Sequence, residues 1–166
     1  MVKQDATFDS SFWINAHRAG LLAEVLDEYR LYFSPAVAAE LRPSFPSGEA
    51  FWQLVRAGTV AEVVAVAEPF QEFGPGERAA INLALQHRDW TLLIDDQRPL
   101  RAAVELGLPA VCTPVLVVAL FLQGTIDAAQ CLQALARLAA LQTVSPALLT
   151  AALAQLGQAL AGKGRG

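Results

Sequence analysis

Two short apolar runs in this chain end in aspartate, and this pattern constrains the fold more than any other. Leu92-Leu93-Ile94 is followed by Asp95-Asp96, and Ala6-Thr7-Phe8 is followed by Asp9. A short apolar run is typical of a strand buried in a parallel sheet. In open α/β sheets, ligands bind outside the carboxyl ends of the strands. The pattern therefore predicts two strands that deliver carboxylates to one edge of a parallel sheet.

Apolar periodicity and cap residues predict that helices separate the strands along the chain. In chain order we expect a strand that ends at Asp9, a helix that Gly20 ends, a helix at about 21–29, a strand at 31–33, helices at about 35–41 and from 46, a segment 60–67 that fits either strand or helix, a helix at 77–87, a strand at 91–94, a helix at about 99–106, a strand at 110–112, and helices at about 113–122, 124–141 and from 145 onward. Strands that alternate with helices indicate βαβ units and a parallel sheet with helices on both faces.

Composition excludes several classes of protein. A chain of 166 residues with 54% hydrophobic and 17% charged residues fits one folded domain rather than a disordered segment. The net charge of −4 argues against a protein that coats nucleic acid through a basic surface. A local group of basic residues around an acidic pocket would not change this net charge visibly. No signal peptide or membrane-spanning run is predicted. Cys112 and Cys131 are expected to be reduced, buried thiols of a cytoplasmic protein, and a disulfide between them is the alternative.

Acidic residues recur near the predicted sheet edge, at Asp9, Glu40, Glu77 and the pair Asp95 and Asp96. Each has an ordinary explanation alone: a helix cap, a solvated helix residue, a carboxylate on a helix dipole, or turn chemistry. Gathered within about 4–6 Å, carboxylates repel, and a divalent cation removes that repulsion. Mg²⁺ and Mn²⁺ prefer oxygen ligands. The set therefore predicts a magnesium or manganese site suited to phosphodiester hydrolysis.

The histidines and tryptophans carry less functional information. His17 and His87 are expected at the surface or its boundary, since neither has a partner at metal-ligand spacing. Trp13, Trp52 and Trp90 are expected in the core or in an interface rather than as a platform for stacked bases.

Five segments together resemble the PIN domain family, in particular its VapC-like prokaryotic branch and the uncharacterised relatives of that branch. The resemblance covers about residues 5–142 and rests on the order and spacing of DSSFWIN at 9–15, SPAVAAEL at 34–41, GERAAINLAL at 76–85, LLIDD at 92–96 and GLPAVCTPVLVVAL at 107–120. It implies a three-layer α/β/α sandwich around a central parallel sheet. Residues 1–142 would form this domain, and residues 143–166 would form a C-terminal helix and a frayed tail packed on it.

The resemblance also implies an activity. In active members of the family, an acidic pocket binds Mg²⁺ or Mn²⁺ and the protein cleaves single-stranded RNA, so a metal-dependent endoribonuclease is expected here. The positions that match the catalytic and metal-binding acids are Asp9, Glu40, Glu77 and Asp96, with Asp95 as a further metal ligand and with Ser10 or Ser11 hydrogen-bonding a carboxylate or a metal-held water.

Two segments depart from the pattern of the related proteins. Ala-Arg is expected at positions 99 and 100, but this chain has Pro99-Leu100, which leaves Arg98 and Arg101 to contact RNA. Cys112-Thr113-Pro114 stands where the related proteins are expected to have Gly-Thr and then a glycine. These departures keep open a weak or inactive module that binds RNA or protein. A receiver-like domain is a further alternative, but it would not explain Glu40 and Glu77. The expected partners are single-stranded RNA, a small antitoxin and a second copy of the chain, the last because the helices after Thr113 are strongly apolar.

Overall fold

A parallel sheet forms the middle of the protein in the computed structural model, which describes residues 2–66 and 70–163. Its strands, in chain order, are β1 Gln4–Phe8, β2 Tyr29–Phe33, β3 Val60–Glu62, β4 Thr91–Leu93 and β5 Ala110–Val111. Over the described residues the spatial order is β3-β2-β1-β4-β5, and every pairing is parallel. β1 is central, because Ala6 pairs with Leu31 on one side and with Thr91 on the other. Both predicted aspartate-ending strands therefore lie side by side.

Helices connect the strands, and polar caps set where several of them begin. Within the described ranges they are α1 Ser10–Ala19, α2 Leu22–Glu28, α3 Pro35–Glu40, α4 Pro46–Arg56, α5 Pro75–Gln86, α6 Gln97–Glu105, α7 Thr113–Gln123, α8 Ala128–Leu141 and α9 Pro146–Lys163. The side chains of Asp9, Ser34, Asp96 and Asp127 cap α1, α3, α6 and α8 respectively. Such caps satisfy backbone N–H groups that the first helical turn leaves unpaired.

Successive residues of β4 enter two different cores, because side chains along a strand alternate between the faces of the sheet. Leu93 joins the larger core, in which the ring of Phe51 meets the rings of Phe8 and Trp13 edge to face. Leu92 joins the smaller core, which contains residues of α5 and α6 such as Ile81. Helices thus cover both faces of the sheet, and the predicted three-layer α/β/α sandwich is confirmed.

Several element boundaries differ from the prediction, and at two of them pairing or capping overrides local pattern. The helix predicted to reach Tyr29 ends at Glu28, since Tyr29 is extended and pairs with Gln4 of β1. The helix predicted from Gly124 begins only at Ala128, where Asp127 caps it. In the ambiguous segment 60–67, residues 60–62 form β3, and residue 67 lies outside the described residues.

The C-terminal helix α9 packs against α7, with Ala152 and Leu156 buried in the larger core. Residues 164–166, the predicted frayed tail, lie outside the described residues, and the division at residue 142 stays a prediction. Over residues 2–66 and 70–163, no helix has both the length and the apolar character that crossing a bilayer requires.

The cysteines, histidines and tryptophans lie where the sequence indicates. Both cysteines are free and buried, and burial raises the pKa of the Cys112 thiol to about 11. His17 and His87 are half-buried. Trp13 and Trp52 pack in the larger core, and Trp90 stacks between Tyr32 and His87 with ring centroids 4.3 and 3.9 Å away.

Candidate active site

Acidic side chains converge on the carboxyl ends of the two central strands. The backbone N–H of Asp9 donates to the carbonyl of Leu93 at 3.1 Å, which ties the end of β1 to the end of β4. The N–H of Ile94 donates to the carbonyl of Val111 at 3.0 Å, which ties β4 to β5 in the same way. Asp95 follows directly, so Asp9 and Asp95 lie at one edge of the sheet.

Asp9 has one satisfied oxygen and one that is not. Its Oδ1 accepts the N–H of Phe12 at 2.8 Å, which caps α1. Its Oδ2 is buried and has no hydrogen-bond partner among the described residues. Burial raises the pKa of Asp9 well above its ordinary value, the Phe12 N–H lowers it, and the negative charges of Asp95, Glu77 and Glu40 raise it further. A buried, unpaired oxygen on a carboxyl that three other acids repel is suited to hold a cation.

Asp95 is buried and fully engaged by neutral donors. Its Oδ1 accepts the backbone N–H of Thr113 at 2.6 Å, and its Oδ2 accepts the Thr113 hydroxyl at 2.6 Å and the amide of Asn15 at 2.7 Å. The Asn15 amide oxygen in turn accepts the hydroxyl of Thr143 at 2.5 Å. Burial raises the pKa of Asp95, and the bonds from Thr113 and Asn15 offset only part of that increase. Asp95 thus joins the sheet edge to α1 and to the start of α7.

Glu40 reaches the site from the last residue of α3 and is held by two donors. The hydroxyl of Ser10 donates to its Oε2, and the backbone N–H of Gly76 donates to its Oε1 at 3.0 Å. A Cβ atom at Gly76 would lie 2.5 Å from Oε2, so the Glu40 carboxylate can keep this position only while residue 76 is glycine. Ser11, the other predicted supporting serine, is half-buried in the first turn of α1.

Glu77 and Asp96 occupy the outer side of the site. Glu77 is half-buried in the first turn of α5, where its Oε2 accepts the N–H of Gly74 at 3.0 Å. Burial raises the pKa of Glu77, the Gly74 N–H lowers it, Asp96 and Glu40 raise it, and Arg98 lowers it. Asp96 is exposed and caps α6 by accepting the N–H of Arg98 at 3.0 Å. The two adjacent aspartates therefore differ, since Asp95 faces inward and Asp96 faces solvent.

The arginines predicted to contact RNA lie beside these outer acids. Arg98 and Arg101 are exposed and line a cleft of about 390 Å³ together with Phe73. The side chain of Arg101 forms an ion pair with Glu105 at 3.0 Å. An exposed pair of this kind is weak, about 0–1 kcal/mol, so a phosphate could displace Glu105.

The acids influence one another without forming a closed ligand cluster. Among residues 2–66 and 70–163, no group of three or more His, Cys, Asp or Glu side chains is arranged to hold a metal ion. Charge effects nevertheless link the five predicted acids, because Asp95, Glu77 and Glu40 raise the pKa of Asp9, and Asp96 and Glu40 raise the pKa of Glu77. The unpaired Oδ2 of Asp9 and an all-oxygen donor set fit a hard divalent cation. The donor atoms of these acids are therefore of the kind that binds Mg²⁺ or Mn²⁺.

Three residues that hold the acids do not stand out in the sequence. Asn15 and Thr113 fix Asp95, and Gly76 admits Glu40. Asn15 is a polar residue on the apolar side of α1, which is a signal for a buried hydrogen bond but not for its partner. Pairings across 80 and 36 residues are visible only in the folded chain.

Comparison with models of protein families identifies the family of this chain. A family model described as a PIN domain matches residues 5–158 of the 166, beyond the 5–142 indicated by the sequence motifs. A search of curated proteins finds no match. The family match and the three-layer sandwich around a parallel sheet both indicate a nuclease-like fold. This chain therefore belongs to the PIN domain family.

Proposed function

We propose that this protein is an endoribonuclease that hydrolyses single-stranded RNA with Mg²⁺ or Mn²⁺. The observation that supports this most is the buried, unpaired Oδ2 of Asp9, on a carboxyl whose pKa is raised by burial and by the negative charges of Asp95, Glu77 and Glu40. An acid in this environment is costly to ionise without a counter-ion. The burial of an ionisable group at a ligand-binding sheet edge is a feature of functional sites rather than of stable folds.

We assign each acid a role in this proposal. Asp9, Glu77 and Asp96 would hold the cation, and Glu40 would bind it or orient the attacking water. When bound, the cation would lower the pKa of water and neutralise charge on the phosphate. Water would attack the phosphorus in line with the departing 3′ oxygen, leaving a 5′-phosphate and a 3′-hydroxyl. Arg98 and Arg101 would contact flanking phosphates from the cleft beside α6.

Ser10 and Gly76 would position Glu40, because they donate to its two carboxylate oxygens. Asp95 is the weakest of the five candidate metal ligands, since both its oxygens already accept hydrogen bonds. Its contacts with Asn15 and Thr113 favour a role in fixing the sheet edge.

The direct test is cleavage of an end-labelled single-stranded RNA by the purified chain. We expect fragments in Mg²⁺ or Mn²⁺ and none in excess EDTA, with activity restored when the metal is added back. Ligation and phosphatase treatment would identify the ends as 5′-phosphate and 3′-hydroxyl. Cleavage that persists in EDTA would contradict the proposal.

A catalytically weak PIN-like module that binds RNA or protein is the second candidate function. The observation that favours it is the absence of a preformed ligand cluster of three or more acids, histidines or cysteines within the described ranges. Calorimetry separates the two functions, because a nuclease must take up Mn²⁺ at millimolar concentration and a pure binding module need not. Heat on titration that disappears in Asp9→Asn would support the nuclease.

Replacing Gly76 by alanine tests the position of Glu40. The new Cβ would lie 2.5 Å from Oε2, so the flexible carboxylate must move away and lose its contacts with Ser10 and the residue 76 N–H. We expect a loss of about 10–100-fold in cleavage rate, as for other residues that orient a metal ligand, with little change in thermal stability.

Gly74→Ala is the matched control, because its Cβ would come no closer than 3.6 Å to Glu77. That variant should retain activity within a few-fold. Equal rates for Gly76→Ala and Gly74→Ala would show that the position of Glu40 does not matter for cleavage.

We further propose that the protein is the toxin of a toxin–antitoxin pair in the cytoplasm, where its two unpaired cysteines would stay reduced. A small antitoxin co-purifying with the chain and inhibiting cleavage would support this. A homodimer is also proposed, because large apolar side chains remain exposed on the last three helices, at Leu122, Leu132, Leu153 and Leu160. A monomeric mass by light scattering at micromolar concentration would contradict the dimer.

A further inference from the structure

A groove of about 810 Å³ lies between α1 and the start of α4, and Glu40 forms part of its wall. We call it the α1–α4 groove. Its volume falls within the range of about 300–1,000 Å³ that is usual for ligand pockets. Because the Glu40 carboxylate also contacts Ser10 and Gly76, this residue belongs both to the groove wall and to the acidic site.

The loop that joins α3 to α4 forms the outer wall of the groove, and its backbone is held rigidly. The indole of Trp52 donates to the carbonyl of Leu41 at 2.8 Å, and the indole of Trp13 donates to the carbonyl of Ser47 at 2.8 Å. A Cβ at Gly48 would lie 1.9 Å from the carbonyl oxygen of Arg42, so only glycine permits this packing. A wall fixed before binding loses little conformational entropy when a ligand enters.

Positive side chains dominate the charge of the groove, although the chain carries a net charge of −4. Arg18 and Arg42 line it, against the single acid Glu40. In the part of the chain that the structure describes, neither Arg18 nor Arg42 forms an ion pair. Both guanidinium groups are exposed and available to bind phosphate oxygens.

An exposed aromatic ring completes the groove. Phe45 is 59% exposed at the start of α4, and it lines the groove close in sequence to Arg42. Sites for single-stranded nucleic acid combine a positive groove with aromatic rings on which unpaired bases stack. A duplex hides the faces of its bases, so an exposed ring favours a single strand. An apolar protein segment would match Phe45 but not two unpaired arginines.

We propose that single-stranded RNA reaches the acidic site through the α1–α4 groove, with a base stacked on Phe45 and with phosphates bound by Arg18 and Arg42. This inference rests on the proposed function for its substrate class. It places an RNA-binding surface on the Glu40 side of the acids, away from the cleft of Arg98 and Arg101.

Fluorescence anisotropy with a labelled single-stranded RNA tests this in EDTA, where the proposed activity is silent. Phe45→Ala should weaken binding roughly tenfold, and Phe45→Tyr should restore it because a ring is retained. The double variant Arg18→Ala/Arg42→Ala should reduce the slope of log affinity against log salt by about 1.4, or about 0.7 for each lost phosphate contact.

Two exposed residues outside the groove lining serve as matched controls. Arg56→Ala removes a positive charge from α4, and Val2→Ala removes an exposed apolar side chain that precedes β1. Both should bind RNA as the unchanged protein does. Circular dichroism of all variants should show native helix content, since each substitution is at the surface.

The possible results test the groove assignment and the proposed nuclease function separately. RNA affinity that is unchanged by Phe45→Ala and by the double arginine variant would overturn the groove assignment, including the case in which an apolar protein segment occupies it. Groove-dependent binding without cleavage in Mg²⁺ or Mn²⁺ would overturn the proposed function and leave the groove assignment in place. No RNA binding by the unchanged protein in EDTA would overturn the groove assignment, and cleavage in Mg²⁺ or Mn²⁺ would decide the proposed function separately.

Discussion

Replacing Asp9 by asparagine is expected to reduce metal-dependent RNA cleavage by about a thousandfold or more, a loss on the scale of removing a major electrostatic group from an active site. Asparagine keeps the size of the side chain, and its Oδ1 can still accept the Phe12 N–H that caps α1. The substitution therefore removes the charge and leaves the local fold intact. End-labelled RNA in single-turnover assays would measure the loss.

The same substitution should make the metal-free protein more stable. A buried acceptor without a partner costs about 1–3 kcal/mol, and the Oδ2 of Asp9 is such an acceptor. Asparagine carries no charge, so it also removes the repulsion between ionised Asp9 and the carboxylates of Asp95, Glu77 and Glu40. Urea unfolding at neutral pH in EDTA should show the free energy of unfolding increased by about 1 kcal/mol, which is the lower end of that cost.

This gain in stability should depend on pH in a defined direction. Burial and neighbouring charge raise the pKa of Asp9 above its ordinary value of 3.8, so the folded state holds a proton that the unfolded state releases. Ionised Asp9 destabilises the fold at a pH above the raised pKa, and protonation removes that cost as the pH falls through it. The stability difference between Asp9→Asn and the unchanged protein should therefore be largest near neutral pH and should shrink on acidification.

Asp127→Asn is the matched control for this experiment. Asp127 also caps a helix, by accepting the N–H of Gln130 at 2.8 Å, but it is exposed. Its substitution should change neither cleavage nor the pH dependence of stability. Retained cleavage in Asp9→Asn, or an equal loss in Asp127→Asn, would remove Asp9 from the proposed site.

The sheet and its acid-bearing edge could be predicted because their signals are local. Apolar runs such as Leu92–Ile94 and caps such as Ser34 act within a few residues, so the strand and helix order is readable from the chain. Tyr29 shows the limit of this approach. It continues a helical pattern, but its pairing with Gln4 of β1 makes it extended, and tertiary pairing outweighs local propensity.

The site itself was only partly predictable. The order of acids along the chain indicates a shared edge, and the motifs indicate a PIN domain, which leaves no need for the receiver-like alternative. Local pattern cannot say which of two adjacent aspartates faces inward. That depends on Asn15 and Thr113, which meet Asp95 from 80 and 18 residues away. The α1–α4 groove is equally non-local, because α1 and the α3–α4 loop form it together.

Replacing Asp95 by alanine is expected to destabilise the fold by about 3 kcal/mol, more than any other single change at the site. Three buried donors lose their acceptor, and each unsatisfied group costs about 1–3 kcal/mol. The loss of the Asp95 carboxylate offsets part of this cost, because burial disfavours ionised Asp95 and its charge disfavours ionised Asp9. Thr113→Val, which loses only a hydroxyl donor, should cost about 1 kcal/mol. Urea unfolding in EDTA measures both.

Thr150→Val controls for the loss of a threonine hydroxyl. Thr150 is exposed on α9, and its hydroxyl donates to the carbonyl of Pro146. We expect a change within about 0.5 kcal/mol, as at other surface positions. Equal effects of Thr113→Val and Thr150→Val would show that the bonds to Asp95 do not stabilise the sheet edge.

Asparagine substitutions at Asp95 and Asp96 then distinguish the residue that stabilises the sheet edge from the residue that binds the metal. Asp95 has both oxygens engaged and is buried, whereas Asp96 is exposed and acts on the pKa of Glu77. If Asp96 is the ligand, Asp96→Asn should weaken Mn²⁺ binding in calorimetry at least tenfold with little effect on stability. Asp95→Asn should do the reverse, lowering the free energy of unfolding with Mn²⁺ affinity within about tenfold, as expected for a residue that supports the ligands. The opposite result would make the inward-facing Asp95 the metal ligand and Asp96 only the cap of α6.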